Sequence, residues 1–302
     1  MNLAIFTLYE GDYHVGVAAL VNSAFNCGFK GKIFILYKDK LPPWSLSNQW
    51  RDSFGKTGIN VCFEKCITPR HFGYHKPFAA RAIFDANPDL DGLIYADPDI
   101  VFLAPYKFFE QWIDGGVALC LDSNFRWLHK NHPWRRDWRA LAKRAGLPIQ
   151  WDSPEYSNSG FFGLKKEAAQ FLYHWMTVIL QFEKEGGDTS GFDMQNRYRS
   201  IVSDQDALAA SLYAILDEPA YLGQEGMGFN GHYFILSHAI ENPKPWRQFF
   251  TKLALKGRKP SISAKLWLKH AQFPIPAMSR TKYLLTKIDL NLASFISRFW
   301  GI

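Results

Sequence analysis

Two aspartates separated by one proline, Asp97-Pro98-Asp99, close an apolar run that begins at Gly92. In an extended segment residues i and i+2 point to the same side, so both carboxylates can face one place. Pro98 cannot donate to a sheet ladder and restricts the residue before it, so a regular strand loosens there. A buried strand handing two carboxylates to the rim of a sheet puts them where open α/β folds bind ligands. Carboxylates this close repel one another unless a cation lies between them, and hard divalent ions prefer oxygen ligands. The same residues are good turn chemistry, so this stretch alone leaves a metal site and a solvated turn both open.

Other groups able to do chemistry sit at the ends of further apolar runs. Asp12 and Tyr13 follow the first run, where a ring can stack on a base and a carboxylate can accept from its edge. Lys76 and Arg81 precede the carboxylate strand, and either can reach a phosphate. Asp122 closes one run and Asn158-Ser159-Gly160 opens another. Ser203-Asp204-Gln205-Asp206 precedes a helical pattern that Ser203 or Asp204 can cap, a role that uses one residue of the cluster. His238 ends the last run, with Lys244-Pro245-Trp246 six residues on. A lone histidine at a strand end is commonly structural; one followed by this Lys-Pro-Trp is far rarer.

The elements that must position these groups are those of an α/β protein. Residues 2–8 and 32–37 read as buried strands around a helical pattern from Val15 to Phe25, an order that argues for a parallel sheet. A short strand at 61–64, helices at 74–84, 165–184 and 207–216, and strands at 116–121, 160–164 and 234–238 continue the pattern. Residues 41–58 form a Pro/Trp/Ser-rich connection with room for a short helix. Residues 125–139, with three Trp, two His and five Arg/Lys, suit a lid or acceptor loop, or a surface helix with buried tryptophans. The first loop lacks G-x-G-x-x-G, and G-x-x-x-x-G-K-[ST] occurs nowhere, which removes support for dinucleotide and P-loop sites.

A length of 302 residues with 47% hydrophobic and 21% charged residues is globular in composition. Aromatics at 16%, including eleven Trp, suggest a stacking cleft, a membrane-proximal surface, or both. Cys27, Cys62, Cys66 and Cys120 form no Cys-x-x-Cys pair and are expected as reduced thiols. No stretch approaches the roughly 18 apolar residues that span a bilayer. With no signal peptide evident, the expectation is a chain that starts at Met1 in the cytoplasm. Residues 243–302 carry twelve Lys/Arg against Asp289 alone, whereas the remainder is mildly acidic, which points the tail toward an anionic surface.

Taken in order, these residues resemble the family 8 retaining glycosyltransferases, the group of glycogenin and the bacterial lipopolysaccharide galactosyl- and glucosyltransferases. The resemblance runs from residue 3 to residue 246. It rests on Asp12-Tyr13, Arg81 sixteen positions before the carboxylates, Asp97-x-Asp99, and Asp122. It continues through Asn158-Ser159-Gly160, Asp204-Gln205-Asp206 and His238-x5-Lys244-Pro-Trp246. Asp-x-Asp alone is weak, but four later motifs in the right order are not.

The resemblance implies a GT-A fold: a Rossmann-like, mostly parallel central sheet flanked by helices. A catalytic domain would cover 1–246, with a nucleotide-binding half over about 1–105 and an acceptor half over about 106–246. Residues 247–302 would be a basic helical C-terminal extension. A UDP-sugar donor and Mn²⁺ (or Mg²⁺) held by Asp97, Asp99 and His238 are implied, an O,O,N set that suits manganese. Thr7, Asp12, Tyr13, Asp97 and Ser159 would contact the donor, as would Lys244; Arg81, Asp122, Asn158 and Asp204 would hold its sugar. Lys244 and the metal would neutralise the departing UDP. Asp204 and Gln205 would act at the reacting centre. Gln205 is a poor nucleophile where double displacement needs a carboxylate, which favours front-face attack with Asp204 and Asp206 as reserve nucleophiles.

Two departures stand out. Glu241 occupies a position where the family usually has glycine, and 125–139 has no family counterpart, so the acceptor is not carried over. Beyond Trp246, Leu284, Ile288, Leu292, Ile296 and Phe299 form a stripe at helical spacing in a basic segment, suited to peripheral contact with an anionic membrane or to packing on the body. The acceptor would be a saccharide, with a lipid-linked one fitting membrane contact. The rivals are a catalytically silent UDP-sugar-binding protein on the same fold and nucleic-acid binding through the tail. The second lacks a reader motif and faces a repelling acidic body.

Overall fold

The computed structural model describes residues 1–47, 50–196 and 198–300. The chain opens with β1 (Leu3–Tyr9), α1 (His14–Asn26), β2 (Gly31–Tyr37), α2 (Arg51–Gly55) and β3 (Ile59–Lys65). It continues through α3 (Phe72–Ala86), β4 (Gly92–Ala96), β5 (Ile100–Phe102), α4 (Tyr106–Asp114), β6 (Ala118–Leu121) and α5 (Pro133–Arg144). Then come β7 (Ser157–Lys165), α6 (Gln170–Lys184), α7 (Asp204–Ser211), β8 (Ala220–Leu222) and β9 (Leu236–His238). The C-terminal part holds α8 (Phe250–Ala254), α9 (Ile262–His270) and α10 (Arg280–Ile296). The short helix expected within 41–58 is α2, while residues 48 and 49, like the last two of the extension, lie outside the described residues.

The central sheet has seven strands in the order β3-β2-β1-β4-β7-β6-β8, and β5 and β9 form a separate pair. The pairs β1–β4, β2–β3 and β6–β8 are parallel, and β7 runs antiparallel to both β4 and β6. The α/β, mostly parallel, helix-flanked architecture expected from the sequence is therefore the one observed. Strand β4, Gly-Leu-Ile-Tyr-Ala, is buried at every position, the pattern of a strand covered on both faces.

The chain divides into two compact units that interleave in sequence. The first comprises 1–8, 66–96 and 107–226. Its core stacks Phe162 on Tyr95 at 5.3 Å, with Phe6 4.9 Å from Tyr95 and the fully buried Trp175 5.5 Å from Phe162. The second comprises 9–65, 97–106 and 227–302. There α1 packs on β5 and α9, and the buried Asn22 amide donates to the His270 and Ile275 carbonyls while its oxygen accepts from Ile275 N. Residues beyond 246 thus contribute to the unit that holds residues 97–106. Asp289, the one acidic residue of the basic tail, caps α8 by accepting from Phe250 N and Thr251 N.

Two histidines give this fold an acid-labile component. Burial lowers the pKa of His75 and of His270 from 6.5 to about 4, and His75 Nδ1 and His270 Nε2 are buried without hydrogen-bond partners among the described residues. A folded pKa below the unfolded one means that the unfolded chain binds more protons between those values. Stability is therefore fully present above pH 6.5 and lost as pH falls toward 4. Denaturant titrations across that window are expected to show a falling unfolding free energy, with a shallower decline in a His75→Phe/His270→Phe double variant.

Candidate active site

The second unit holds the carboxylate pair. β4 ends at Ala96, Asp97-Pro98-Asp99 turns, and β5 resumes at Ile100 to pair antiparallel with β9. Ile100 lies opposite His238, and Ala239 N donates to the Asp99 carbonyl at 3.0 Å, so the ladder sets the histidine beside the aspartates. His238 Nε2 is 3.2 Å from Asp99 Oδ1 and 3.9 Å from Asp97 Oδ2. One donor atom from each of Asp97, Asp99 and His238 lies within 4.8 Å of the others, a group able to hold a metal ion. Two carboxylate oxygens and one imidazole nitrogen fit manganese or magnesium, with further positions left for ligand oxygens.

Lys244 completes this cluster, its ammonium donating to Asp99 Oδ2 at 2.6 Å and to the Ala239 carbonyl at 2.7 Å. Burial works against the charge on Asp99, but His238 and Lys244 beside it outweigh that and hold its carboxyl well below the usual range. Asp12 is bound by the Arg247 guanidinium and by Trp246 Nε1 at 3.1 Å, while the Tyr13 ring stands edge-on to Trp246 at 5.3 Å. The first loop and the Lys244–Arg247 segment are thereby tied together. Glu241 turns toward Ser261 and Ser263, accepting from their hydroxyls.

Sequence reasoning missed Gly16. A Cβ there would lie 2.2 Å from the Pro98 carbonyl oxygen and 2.9 Å from the Trp246 ring, so the first turn of α1 must be bare at this point. Gly16→Ala is expected to displace the Asp97–Asp99 turn, weakening Mn²⁺ binding by tenfold or more on the scale of supporting-shell changes. Manganese titration followed by electron paramagnetic resonance checks this.

The first unit holds the other polar cluster. Lys76, only 4% exposed, lies on the buried face of α3. Its ammonium is 2.9 Å from Asp204 Oδ2 and donates to the Ser159 carbonyl at 2.9 Å. Arg81, which family spacing nominates, is instead on the exposed face of that helix, paired with Asp85 one turn on. At 100° per residue Arg81 is carried away from the stripe that Lys76 shares with Phe72, Ala80 and Ile83. Lys76 is thus the cation placed with Asp204 and Ser159, and Arg81 is not. Gly73 is required beside them, because a Cβ there would come within 2.9 Å of the Asp204 carboxylate.

The polar trio expected ahead of a strand lies within it, since β7 begins at Ser157. The register of β6 on β7 shifts between Leu119 and Cys120, next to Asn158. Asn158 Nδ2 donates to Asp122 Oδ2 at 3.0 Å, and Asp122 Oδ1 accepts from Asn124 N at 2.9 Å. Ser159 N donates to Gln205 Oε1 at 3.3 Å. Asp206 caps α7: Oδ2 accepts from Val202 N and Ser203 N, and Oδ1 from the Tyr156 hydroxyl at 2.6 Å. Burial raises its pKa from 3.8 to about 6. Thr7 is fully buried, its hydroxyl without a partner among the described residues.

The seven-stranded, mostly parallel sheet with an antiparallel β7 is the GT-A architecture of glycosyltransferases. Among solved structures, the chain is similar to the galactosyltransferase LgtC (13% identity, TM-score 0.52, covering 92% of this chain and 98% of that one). It is also similar to the bifunctional glycosyltransferase WbbM (12%, TM-score 0.53, 94% of this chain) and to GlyE of Streptococcus pneumoniae TIGR4 (12%, TM-score 0.52, 97% of this chain). It spans 51% of the WbbM chain and 64% of the GlyE chain. At such identities the likeness is one of fold. No family model matches the sequence, and no curated protein matches it.

Proposed function

We propose that this protein is a retaining glycosyltransferase that moves a hexose from a UDP-sugar to a saccharide acceptor. The observation that carries the proposal is the Asp97–Asp99–His238 group with Lys244 bound to one of its carboxylates. Asp97, Asp99 and His238 would hold Mn²⁺ or Mg²⁺, which when bound supplies Lewis acidity and positive charge at a diphosphate. Lys244 places a fixed ammonium for the same anionic leaving group. Asp12, Tyr13 and Thr7 would contact the nucleotide. Asp122, Asn158 and Ser159 present acceptors and donors to sugar hydroxyls, and the cation in their cluster is Lys76 rather than Arg81.

The carboxylates near Gln205 support front-face attack. Asp204 is neutralised by Lys76, and both oxygens of Asp206 are engaged, Oδ2 in capping and Oδ1 by the Tyr156 hydroxyl, so neither is free to act as nucleophile. The acceptor hydroxyl then attacks the anomeric carbon from the side UDP leaves. The sugar–oxygen bond breaks with its electron pair going to the phosphate oxygen, and the acceptor's proton follows to that oxygen. A screen of nucleotide sugars with Mn²⁺, reading released diphosphonucleoside, tests this. Chelator-sensitive turnover of a UDP-sugar is expected; turnover of none, or turnover indifferent to Asp99, overturns it.

For the tail we propose peripheral contact with an anionic membrane through α10. No helix among the described residues is long and apolar enough to cross a membrane. On α10 and the turn after it, Leu284, Leu285, Ile288, Leu292, Phe295 and Phe299 are all exposed. At 100° per residue they share an arc of about 100°, with Arg280, Lys287 and Arg298 along one edge. The side opposite carries the buried Leu290 and Ala293. Each basic residue contributes roughly 1 kcal/mol near an anionic surface, so replacing these three by Gln is expected to weaken vesicle binding about a hundredfold. Co-sedimentation with phosphatidylglycerol-containing vesicles at low salt checks it; equal binding to neutral vesicles contradicts the electrostatic part.

A further inference from the structure

The segment 125–144 belongs to the first unit and has two unlike faces. Leu128, Arg135, Trp138, Leu141 and Ala142 are buried, and Arg135 is fastened to Asp152 and to the Leu128 carbonyl. On the other face Phe125 is 41% and Trp127 62% exposed, with the partly buried Trp134 alongside. Leaving large rings in water forgoes the burial that favours aromatic residues inside a protein, so their being held rigidly there calls for a reason.

They are held rigidly. Asp122 Oδ1 accepts from Phe125 N as well as from Asn124 N, which pins the start of the loop to the carboxylate bonded by Asn158. The Phe125 ring stands edge-on to Trp134 at 5.7 Å and to Tyr156 at 6.2 Å. Tyr156 stacks on Trp138 with planes 3° apart, and its hydroxyl donates to Asp206. Trp134 Nε1 donates to the Tyr198 carbonyl at 3.0 Å, and the Trp127 backbone pairs antiparallel with that of Glu155. The aromatic wall is therefore continuous, through Asp122 and Tyr156, with the Asp122–Asn158 and Gln205–Asp206 groups of the same unit.

We propose that Phe125 and Trp134, whose planes are almost perpendicular, form an L-shaped aromatic platform for a pyranose ring of the acceptor saccharide. One aromatic ring stacks on the sugar's C–H face and the other meets its edge. The identity of the ring as an acceptor rests on the glycosyl-transfer reading above; the platform itself rests on the aromatic geometry. The axial C–H face of a pyranose is apolar and weakly positive, and it matches the negative face of an aromatic ring. Asn124 and Arg126, the exposed neighbours of Phe125 in sequence, offer polar groups for the hydroxyls around the pyranose edge. A lipid chain fits less well, because this face is aromatic and broken by polar residues, unlike the aliphatic stripe of α10.

Two measurements on the intact protein test the platform. Saturation-transfer NMR with methyl α- and β-glucopyranosides and galactopyranosides is expected to light up the axial ring protons of at least one glycoside. Phe125→Leu and Trp134→Leu keep apolar volume but remove the ring, and each is expected to abolish that signal at unchanged melting temperature, whereas Phe125→Tyr retains it. With a donor found, the Leu variants are expected to raise the acceptor KM about tenfold or more while donor hydrolysis in water and the donor KM stay at wild-type values. Absence of any saccharide signal in the wild type, or equal signals in the Leu variants, overturns the platform. Saccharide signals without turnover of any nucleotide sugar leave the platform standing and sink the transferase reading instead.

Discussion

Asp99→Asn is expected to lower donor turnover by about two to three orders of magnitude, the scale seen when a preorganised electrostatic group is lost at a reacting centre. Asp99 is 6% exposed and accepts the Lys244 ammonium at 2.6 Å on one oxygen, while the other faces His238 Nε2 at 3.2 Å. An amide of the same shape keeps one acceptor and removes the charge. Turned one way, its NH₂ faces the Lys244 ammonium, which is repulsive. Turned the other way, it keeps an oxygen for Lys244 and points its NH₂ at His238 Nε2, where it competes for the imidazole lone pair that a metal would use. The donor set for a divalent ion falls from two carboxylates to one. Mn²⁺ affinity, read by electron paramagnetic resonance without any substrate, is therefore expected to fall together with turnover. Turnover lost at unchanged Mn²⁺ affinity would move the ion elsewhere and leave Asp99 as an anchor for Lys244.

The strands were legible because each is a short apolar run, and β4 shows the limit of that signal. Its burial at every position is readable from Gly92 to Ala96, but nothing local reveals that Ile100–Phe102 leaves the sheet to pair with β9. That pairing joins residues far apart in sequence and is what brings His238 to the carboxylates. The motif order supplied the partner where periodicity did not. Arg81 shows the reverse failure. Motif spacing chose it, yet the helical period from Phe72 through Lys76, Ala80 and Ile83 already put Lys76 on the buried face and Arg81 on the wet one. Gly16 and Gly73 carried no local signal, since what forbids a Cβ at each is a carbonyl or carboxylate delivered from a distant segment. In the tail, charge pattern alone could not separate a packed helix from a surface one. Both occur: α9 buries Trp267 and Leu268, while the apolar stripe of α10 stays exposed.

The Lys76–Asp204 pair carries the largest expected stability effect. Both side chains are 5% exposed, and the ammonium also holds the Ser159 carbonyl and lies 4.9 Å from the centre of the Tyr95 ring. Lys76→Met fills the same space without the charge, leaving the buried Asp204 carboxylate without its ammonium partner. Removing one partner of a buried pair costs about 3–5 kcal/mol, whereas replacing both with apolar groups is commonly neutral or stabilising. Denaturant unfolding is thus expected to show Lys76→Met destabilised by that amount and Lys76→Met/Asp204→Leu returned to near wild type. Donor turnover separates fold from function here. The double variant regains stability but loses the cation at Ser159 and the carboxylate next to Gln205, so its turnover is expected to stay low. Recovery of turnover along with stability would make the pair a purely structural strut and withdraw Lys76 and Asp204 from the reaction.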